Sequence, residues 1–139
     1  MSIIYDDEPH IKDGVYQVVY HSHYFTNKFG RNLIVLRFQL AEMNEEYKYS
    51  LFCMWKNIKH FSKKTKGQIR WNVSKRQDFA FMWLKLFPTQ KNIRLDRLSI
   101  NQLKGMILKA TIKASKKDFE QNVIPEPLRV SKIIDLSLP

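Results

Sequence analysis

The sequence predicts a mostly β fold with one helix, in the order β-β-β-α-β-β. Apolar and polar residues alternate over several short runs, one segment has helical spacing, and turn-forming residues separate the runs. The clearest strand is Met106–Ser115, where alternation with period two directs one set of side chains inward. The inward set is Leu108, Ala110, Ile112 and Ala114, and the outward set is Ile107, Lys109, Thr111 and Lys113. We expect one domain, residues 14–139, after a polar arm of residues 1–13.

Three strands are predicted in the first half of the chain. Gly14–Tyr24 is rich in β-branched and aromatic residues, which fit a pleated sheet. Gly and Asn in residues 26–32 predict a turn, which leads into a second strand, Leu33–Leu40. We expect its apolar residues Ile34, Leu36, Phe38 and Leu40 to share one face. The third strand, Tyr47–Trp55, has two faces of similar character, and we expect the more apolar set to face the core and Phe52 to point outward. That set is Tyr47, Tyr49, Leu51, Cys53 and Trp55.

A helix is predicted between the third and fourth strands. Ser74 and Gln77 have the spacing of a capping box, and Pro88 would end the helix. An apolar stripe at helical spacing predicts that this helix packs against one end of the sheet. The stripe consists of Phe79, Met82, Trp83 and Leu86. A connection of residues 116–129 then leads to a short final strand, residues 130–136.

The charge balance indicates a polyanionic partner. The chain has 24 Lys and Arg against 13 Asp and Glu, a net charge of +11. Such an excess repels itself in the compact state unless an anion relieves it, which favours nucleic acid over an anionic membrane. A single cysteine, Cys53, excludes a disulfide framework and is typical of a reducing compartment. No apolar run approaches a membrane span or a signal peptide, so we expect a cytoplasmic protein.

Residues 56–71 are the most biased segment, with basic residues and aromatic rings but no acid. We expect a loop that contacts single-stranded nucleic acid, because cations follow the phosphates while rings stack on bases. A solvated charge run is the alternative. The predicted phosphate contacts are Lys28, Arg31, Arg37, Lys56, Lys59, Lys63, Lys64, Lys66, Arg70, Lys109 and Lys113. The predicted stacking rings are Tyr24, Phe29, Phe52 and Trp71.

Four segments and the order of elements carry a resemblance to a known family. The segments are Gly14-Val15-Tyr16, Arg94–Ser99, Leu103-Lys104-Gly105 and Val130–Asp135. The chain resembles the small OB-fold single-stranded-DNA-binding proteins of phages and other mobile elements. This resemblance implies a five-stranded Greek-key β-barrel that binds oligonucleotides. It also implies a groove across the second and third strands, walled by residues 24–32 and 116–129.

Signals for catalysis are weak. His21 and His23 would share a strand face, but a pair of exposed imidazoles is a simpler interpretation than a metal site. Glu46-Tyr47-Lys48 matches half of a metal-dependent nuclease site, for which Asp13 or Asp96 would have to supply the missing acid. We therefore expect no catalytic residue, no metal site and no cofactor.

The function expected from these observations is non-catalytic binding of single-stranded DNA with little sequence preference, in replication, recombination or transfer of a mobile element. The alternatives are a metal-dependent nuclease and a basic adaptor module in a replication or transfer complex. RNA as a ligand, a homo-oligomer, and replication or recombination proteins as partners stay open, because charge and stacking do not distinguish them. No membrane partner is expected.

Overall fold

The computed structural model describes residues 10–28, 30–42, 46–47, 49–63, 69–74, 76–88, 98–115, 122–123 and 130–139, with the backbone alone for Lys63 and Ile69. The strands are β1 (Gly14–Lys28), β2 (Arg31–Leu40), β3 (Phe52–Asn57), β4 (His60–Lys63), β5 (Ile69–Asn72), β6 (Ile107–Ala114) and β7 (Ser131–Ser137). The helices are α1 (Asp78–Leu86) and a short 3-10 helix, Ile100–Leu103. The fold is mostly β with one α-helix, as predicted. None of the described helices is long and apolar enough to cross a membrane.

Five strands form one sheet in the order β1-β2-β3-β7-β6. The pairs are antiparallel except for β3 with β7, which run parallel with Cys53 opposite Lys132. Strand β6 also pairs with β1, from Gly14 opposite Ile112 to Val19 opposite Ile107. Each of the five strands therefore has a hydrogen-bonded neighbour on both sides.

Strand β1 is longer than predicted because its two halves serve different neighbours. Its first half pairs with β6, and its second half pairs with β2 as far as Lys28 opposite Arg31. The register shifts between Tyr20 and Ser22, which leaves His21 as an extra residue. Such a bulge bends a strand and increases its local twist. It lies where β1 passes from one partner to the other.

The core follows the predicted alternation in β2 and β6. Both strands bury alternate side chains completely in their middle part, whereas Leu40 and Ala114 at their ends are half-buried, and residues of α1 cover one end of the sheet by contacting β3 and β7. The buried residues that the sequence predicted are Ile34, Leu36, Phe38, Phe79, Met82, Trp83, Leu86, Leu108, Ala110 and Ile112. The inner faces of the second and fourth predicted strands and the apolar stripe of the helix are thus confirmed.

The helix begins one turn later than the capping-box spacing predicted. Its N-cap is Gln77, whose side chain makes no capping bond. Instead, Gln77 Oε1 accepts a hydrogen bond from the Ser74 backbone N–H at 2.9 Å, and the Gln77 N–H donates to the Ser74 carbonyl at 3.1 Å. The two residues close a turn that precedes the helix. The helix ends at Leu86, with Phe87 as C-cap, just before Pro88.

The predicted faces of the third strand were wrong. Phe52 and Met54 are 0% and 1% exposed, opposite Phe38 and Leu36 on the inner face of β2. Tyr49, predicted in the core, is 80% exposed. The strand begins at Phe52 instead of Tyr47, so Tyr47 and Tyr49, which made the wrong face the more apolar one, lie outside it. The inner face is set by the register of β3 with β2.

The basic segment after β3 was expected to be an irregular loop, and its described part is a β-hairpin. Strands β4 and β5 form a separate two-stranded sheet in which Phe61 lies opposite Trp71 and Ser62 opposite Arg70. Several predicted residues and segments lie outside the described residues. These are residues 1–9, Phe29, Lys48, Lys64, Lys66, 94–97, 116–121 and 124–129.

Candidate nucleic-acid interface

The outer face of β1, β2 and β3 carries two aromatic rings side by side. Tyr24, Val35 and Trp55 lie opposite one another in a single cross-strand row. The ring centroids of Tyr24 and Trp55 are 6.5 Å apart, with the rings nearly perpendicular at 84°. Val35 is 0% exposed although its neighbours Ile34 and Leu36 take the inner face. The two rings flank Val35 and explain its burial.

Three cations lie on these two rings. Lys28 Nζ is 4.5 Å and Lys132 Nζ is 5.6 Å from the centroid of the Trp55 ring. Arg37 Cζ lies 5.2 Å from the centroid of the Tyr24 ring. A cation over an exposed ring contributes about 0.5–1 kcal/mol, enough to favour one ring orientation. These contacts hold positive charge and flat apolar surface together.

A row of cations runs beside the row of rings. Lys113 lies opposite Lys132, Lys132 opposite Cys53, and Cys53 opposite Arg37, so the row crosses β6, β7, β3 and β2. Like charges placed directly opposite each other destabilise a sheet. Arg37 Nε is buried and has no hydrogen-bond partner among the described residues. An anion on this face would relieve the repulsion between the two lysines.

Carboxylates do not neutralise this face in the described part of the chain. The ion pairs that the described residues form are Lys56 with Asp78 at 3.4 Å and Lys85 with Asp135 at 2.9 Å. Neither involves a cation of the face. Among the described residues, no carboxylate therefore pairs with Lys28, Arg37, Lys113 or Lys132.

The structure brings together four of the residues proposed from sequence: Tyr24, Lys28, Arg37 and Lys113. Sequence reasoning missed Trp55, because it was assigned to the core, and Lys132, because the faces of the final strand were not analysed. Trp55 takes the outer face through the register of β3 against β2, in which Phe38 lies opposite Phe52, and the connection of residues 41–51 does not reveal that register in the sequence.

Three residues proposed from sequence are placed elsewhere. Phe52 is fully buried, so the proposed stacking on Phe52 was wrong: its ring cannot meet a base without opening the core. Lys56 pairs with Asp78, and its side chain is only 15% exposed. Lys109 lies opposite Gln17, at a different part of the surface from the rings. Lys109 lines a separate groove, whose other walls include Val15, Leu40 and Pro139.

The basic hairpin has one aromatic and one polar side. Trp71 is half-buried, with its ring centroid 5.5 Å from Phe25 and 5.5 Å from the buried Phe79. These contacts favour a packing role for Trp71. Arg70 and Lys59 are exposed, and Arg31 is exposed at the start of β2.

The two histidines of β1 do not act as a pair, because the bulge at His21 sends them to different environments. His21 is exposed and its Nδ1 lies 2.8 Å from Ser22 Oγ. His23 is half-buried, and its Nδ1 lies 2.6 Å from the Tyr20 hydroxyl. Burial lowers the pKa of His23, and the charges of Arg37 and Lys104 lower it further. Burial raises the pKa of Tyr20.

The described residues do not assemble a site for the nuclease alternative. Asp13 Oδ1 accepts a hydrogen bond from the Ala114 backbone N–H at 2.9 Å, so this carboxylate holds the end of β6. Asp96 and Lys48 lie outside the described residues. Among the residues with described positions, no group of three or more His, Cys, Asp or Glu could hold a metal ion.

The chemistry of the face is that of recognition by stacking and charge. Tyr24 and Trp55 offer apolar ring surface, and the surrounding cations offer contacts for repeated negative charges. A ligand with flat rings joined by anionic groups matches both. In comparisons with known proteins, no protein-family model, no curated protein and no solved structure matches this chain.

Proposed function

We propose that this chain is a non-catalytic protein that binds single-stranded DNA with little sequence preference on the face of β1, β2 and β3. One observation carries the proposal: Tyr24 and Trp55 lie in one outward row, with Lys28, Arg37 and Lys132 within 4.5–5.6 Å of their rings. Aromatic rings stack on any base, while cations follow the backbone whatever the sequence.

The strand pairing supports an OB-fold barrel as the scaffold. The order β1-β2-β3-β7-β6, with β6 paired to β1, gives five strands a ring of neighbours. The helix α1 follows the third of these strands in the chain and precedes the fourth. In an OB-fold, the second and third strands form the oligonucleotide-binding face. Here those strands carry Arg37 and Trp55. A role in replication, recombination or transfer of a mobile element follows from the resemblance alone.

A single strand fits the rings better than a duplex does. Bases in a duplex are stacked on one another and paired, whereas those of a single strand can turn a flat face to a side chain. The two rings lie on a curved sheet surface, because the five strands follow one another in the order of a barrel. Duplex binding through charge alone would not use them.

The experiment is fluorescence anisotropy with labelled dT, a matched duplex and an RNA oligomer, at low and physiological salt without metal. We expect dT binding to survive physiological salt and to exceed duplex binding. Trp55→Ala should weaken dT binding by about 1–3 kcal/mol, the usual contribution of one stacked base. Phe81→Ala is the matched control, because Phe81 is 64% exposed on α1.

Two results would overturn the proposal. Equal, wholly salt-labile binding to all three nucleic acids would mean that net charge acts alone, which favours the adaptor role. Equal weakening by Trp55→Ala and Phe81→Ala would remove Trp55 from the site. Tighter binding to RNA than to dT would correct the ligand from DNA to RNA while keeping the face.

A further inference from the structure

A polar groove continues the face beyond Trp55. It has a volume of about 440 Å³, and its lining includes Arg31, Asn32, Asn57, Lys59 and Gln77. The first two residues begin β2, Asn57 ends β3, and Lys59 precedes β4. The groove thus lies where the β1–β2 turn meets the corner between the sheet and the hairpin.

Hydrogen bonds fix the walls of this groove. The Ile58 backbone N–H donates to the Asn32 carbonyl at 3.0 Å, and Asn32 Nδ2 donates to the Lys59 carbonyl at 3.2 Å. Asn27 Nδ2 donates to Asn32 Oδ1 at 3.0 Å, and the Lys59 N–H donates to the Asn72 carbonyl at 3.0 Å. Asn32 therefore joins the turn to the corner. A ligand would meet a shape that is already formed.

Two residues that line the groove, Asn57 and Arg31, are close to the row of rings in the sheet. Asn57 follows Trp55 by two residues on β3, so both side chains take the outer face about 7 Å apart along the strand. Lys28 lies opposite Arg31, and its Nζ reaches the Trp55 ring. In a single-stranded oligonucleotide with one base stacked on Trp55, the next nucleotide can therefore reach the groove.

The groove combines exposed cations with amides. Arg31 and Lys59 are both exposed. A guanidinium presents a planar fork of donors that matches a phosphate, and an ammonium adds a compact charge. The amide of Asn57 offers both a donor and an acceptor to a sugar or a base edge.

We propose that this groove is a phosphate-binding subsite for the nucleotide next to the one stacked on Trp55. The inference rests on the proposed function and adds a consequence to it. The rings and the groove are separate contacts on one strand, so affinity depends on an oligonucleotide long enough to reach both. Oligonucleotides that cover the rings alone bind without Arg31 and Lys59.

The test is the double variant Arg31→Ala/Lys59→Ala, with dT oligomers of increasing length and salt titrations for the longest. The slope of log K against log salt should become shallower by about 0.7, because the two cations together contact the phosphate of one nucleotide. The shortest dT oligomers that bind the wild-type chain should keep their affinity. Lys12→Ala/Lys109→Ala is the matched control, because it removes two exposed lysines outside the groove.

The outcomes separate this inference from the proposed function. If Trp55→Ala weakens dT binding while both double variants change the slope equally, the subsite is overturned and the binding face stands. A length-independent loss in Arg31→Ala/Lys59→Ala would also overturn it. If Trp55→Ala has no effect on dT binding, the proposed function itself fails. Urea denaturation of each variant checks that the fold is intact.

Discussion

Two neighbouring residues of β1, Tyr24 and Phe25, belong to different groups of aromatic rings. Tyr24 faces outward and meets Trp55 among cations. Phe25 faces inward, and its ring is stacked on Phe61 at 5.5 Å, with Trp71 also 5.5 Å away. The residue types are alike, and their neighbours differ. Rings surrounded by other rings stabilise the fold, whereas Tyr24 and Trp55 lie beside cations that no carboxylate of the described residues neutralises.

The inner group links three parts of the molecule. It runs from Phe25 on the sheet through Trp71 on the hairpin to Phe79 and Trp83 on the helix, with successive centroids 5.5–5.8 Å apart. Edge-to-face and offset pairs each contribute about 0.5–1.5 kcal/mol beyond the area they bury. The inner rings therefore fasten the hairpin and helix to the sheet.

The largest expected effect tests the inner group. Trp83 is fully buried, so Trp83→Ala should lower the free energy of unfolding by about 3–5 kcal/mol. Trp55→Ala should lower it by less than about 1 kcal/mol, because the half-buried Trp55 ring leaves no enclosed cavity. Urea denaturation followed by circular dichroism measures both. Comparable destabilisation by the two substitutions would abolish the distinction between inner and outer tryptophans.

Trp71 tests where the boundary between the groups lies. Since its ring is half-buried against Phe25 and Phe79, Trp71→Ala should lower the free energy of unfolding by about 1–3 kcal/mol. The affinity for dT should change less than twofold. Unchanged stability together with weakened dT binding would instead restore Trp71 to the stacking set that the sequence predicted.

The lysine pair tests the outer group with a smaller effect on stability. Lys113 lies opposite Lys132, so Lys113→Ala/Lys132→Ala removes a like-charge pair that costs about 0.2–1 kcal/mol. The same variant removes the contact of Lys132 with the Trp55 ring, which is of similar size and opposite sign, so the free energy of unfolding should change by less than about 1 kcal/mol. If both lysines contact phosphates, the salt slope for dT binding should become shallower by about 1.4. An unchanged slope, measured by anisotropy, would exclude the row of cations from the interface.

The smallest expected effect is the dependence of stability on pH through His23. The pKa of His23 is lowered by burial, then by Arg37 and Lys104, so His23 binds a proton less readily in the folded than in the unfolded chain. Stability should therefore fall as pH drops below the ordinary value of 6.5, and level off below the folded pKa. His23→Gln should make this decline shallower. An equal decline in His60→Gln and His23→Gln would contradict the attribution of this pH dependence to His23.

Local pattern predicted the parts of the fold where alternation is strong. The faces of β2 and β6 follow from Leu36 and Leu108 with their neighbours at period two, and the helical stripe from Phe79 and Trp83. The proposed binding face depends instead on which residues lie opposite one another. Trp55 meets Tyr24 only through the register of three strands, and Lys132 meets Lys113 through a pairing between strands distant in sequence. No local pattern contains that information.

The extra residue at His21 makes the consequence of a single deletion depend on where it falls in β1. Tyr20 and Ser22 already pair with consecutive residues of β2, so a chain lacking His21 would keep every later residue on its present side. Losing His23 instead would keep Tyr24 and Phe25 on their present sides only if the bulge closed and Ser22 turned inward. The extra residue therefore lets β1 lose one residue near the bulge while the outer row of rings keeps its orientation.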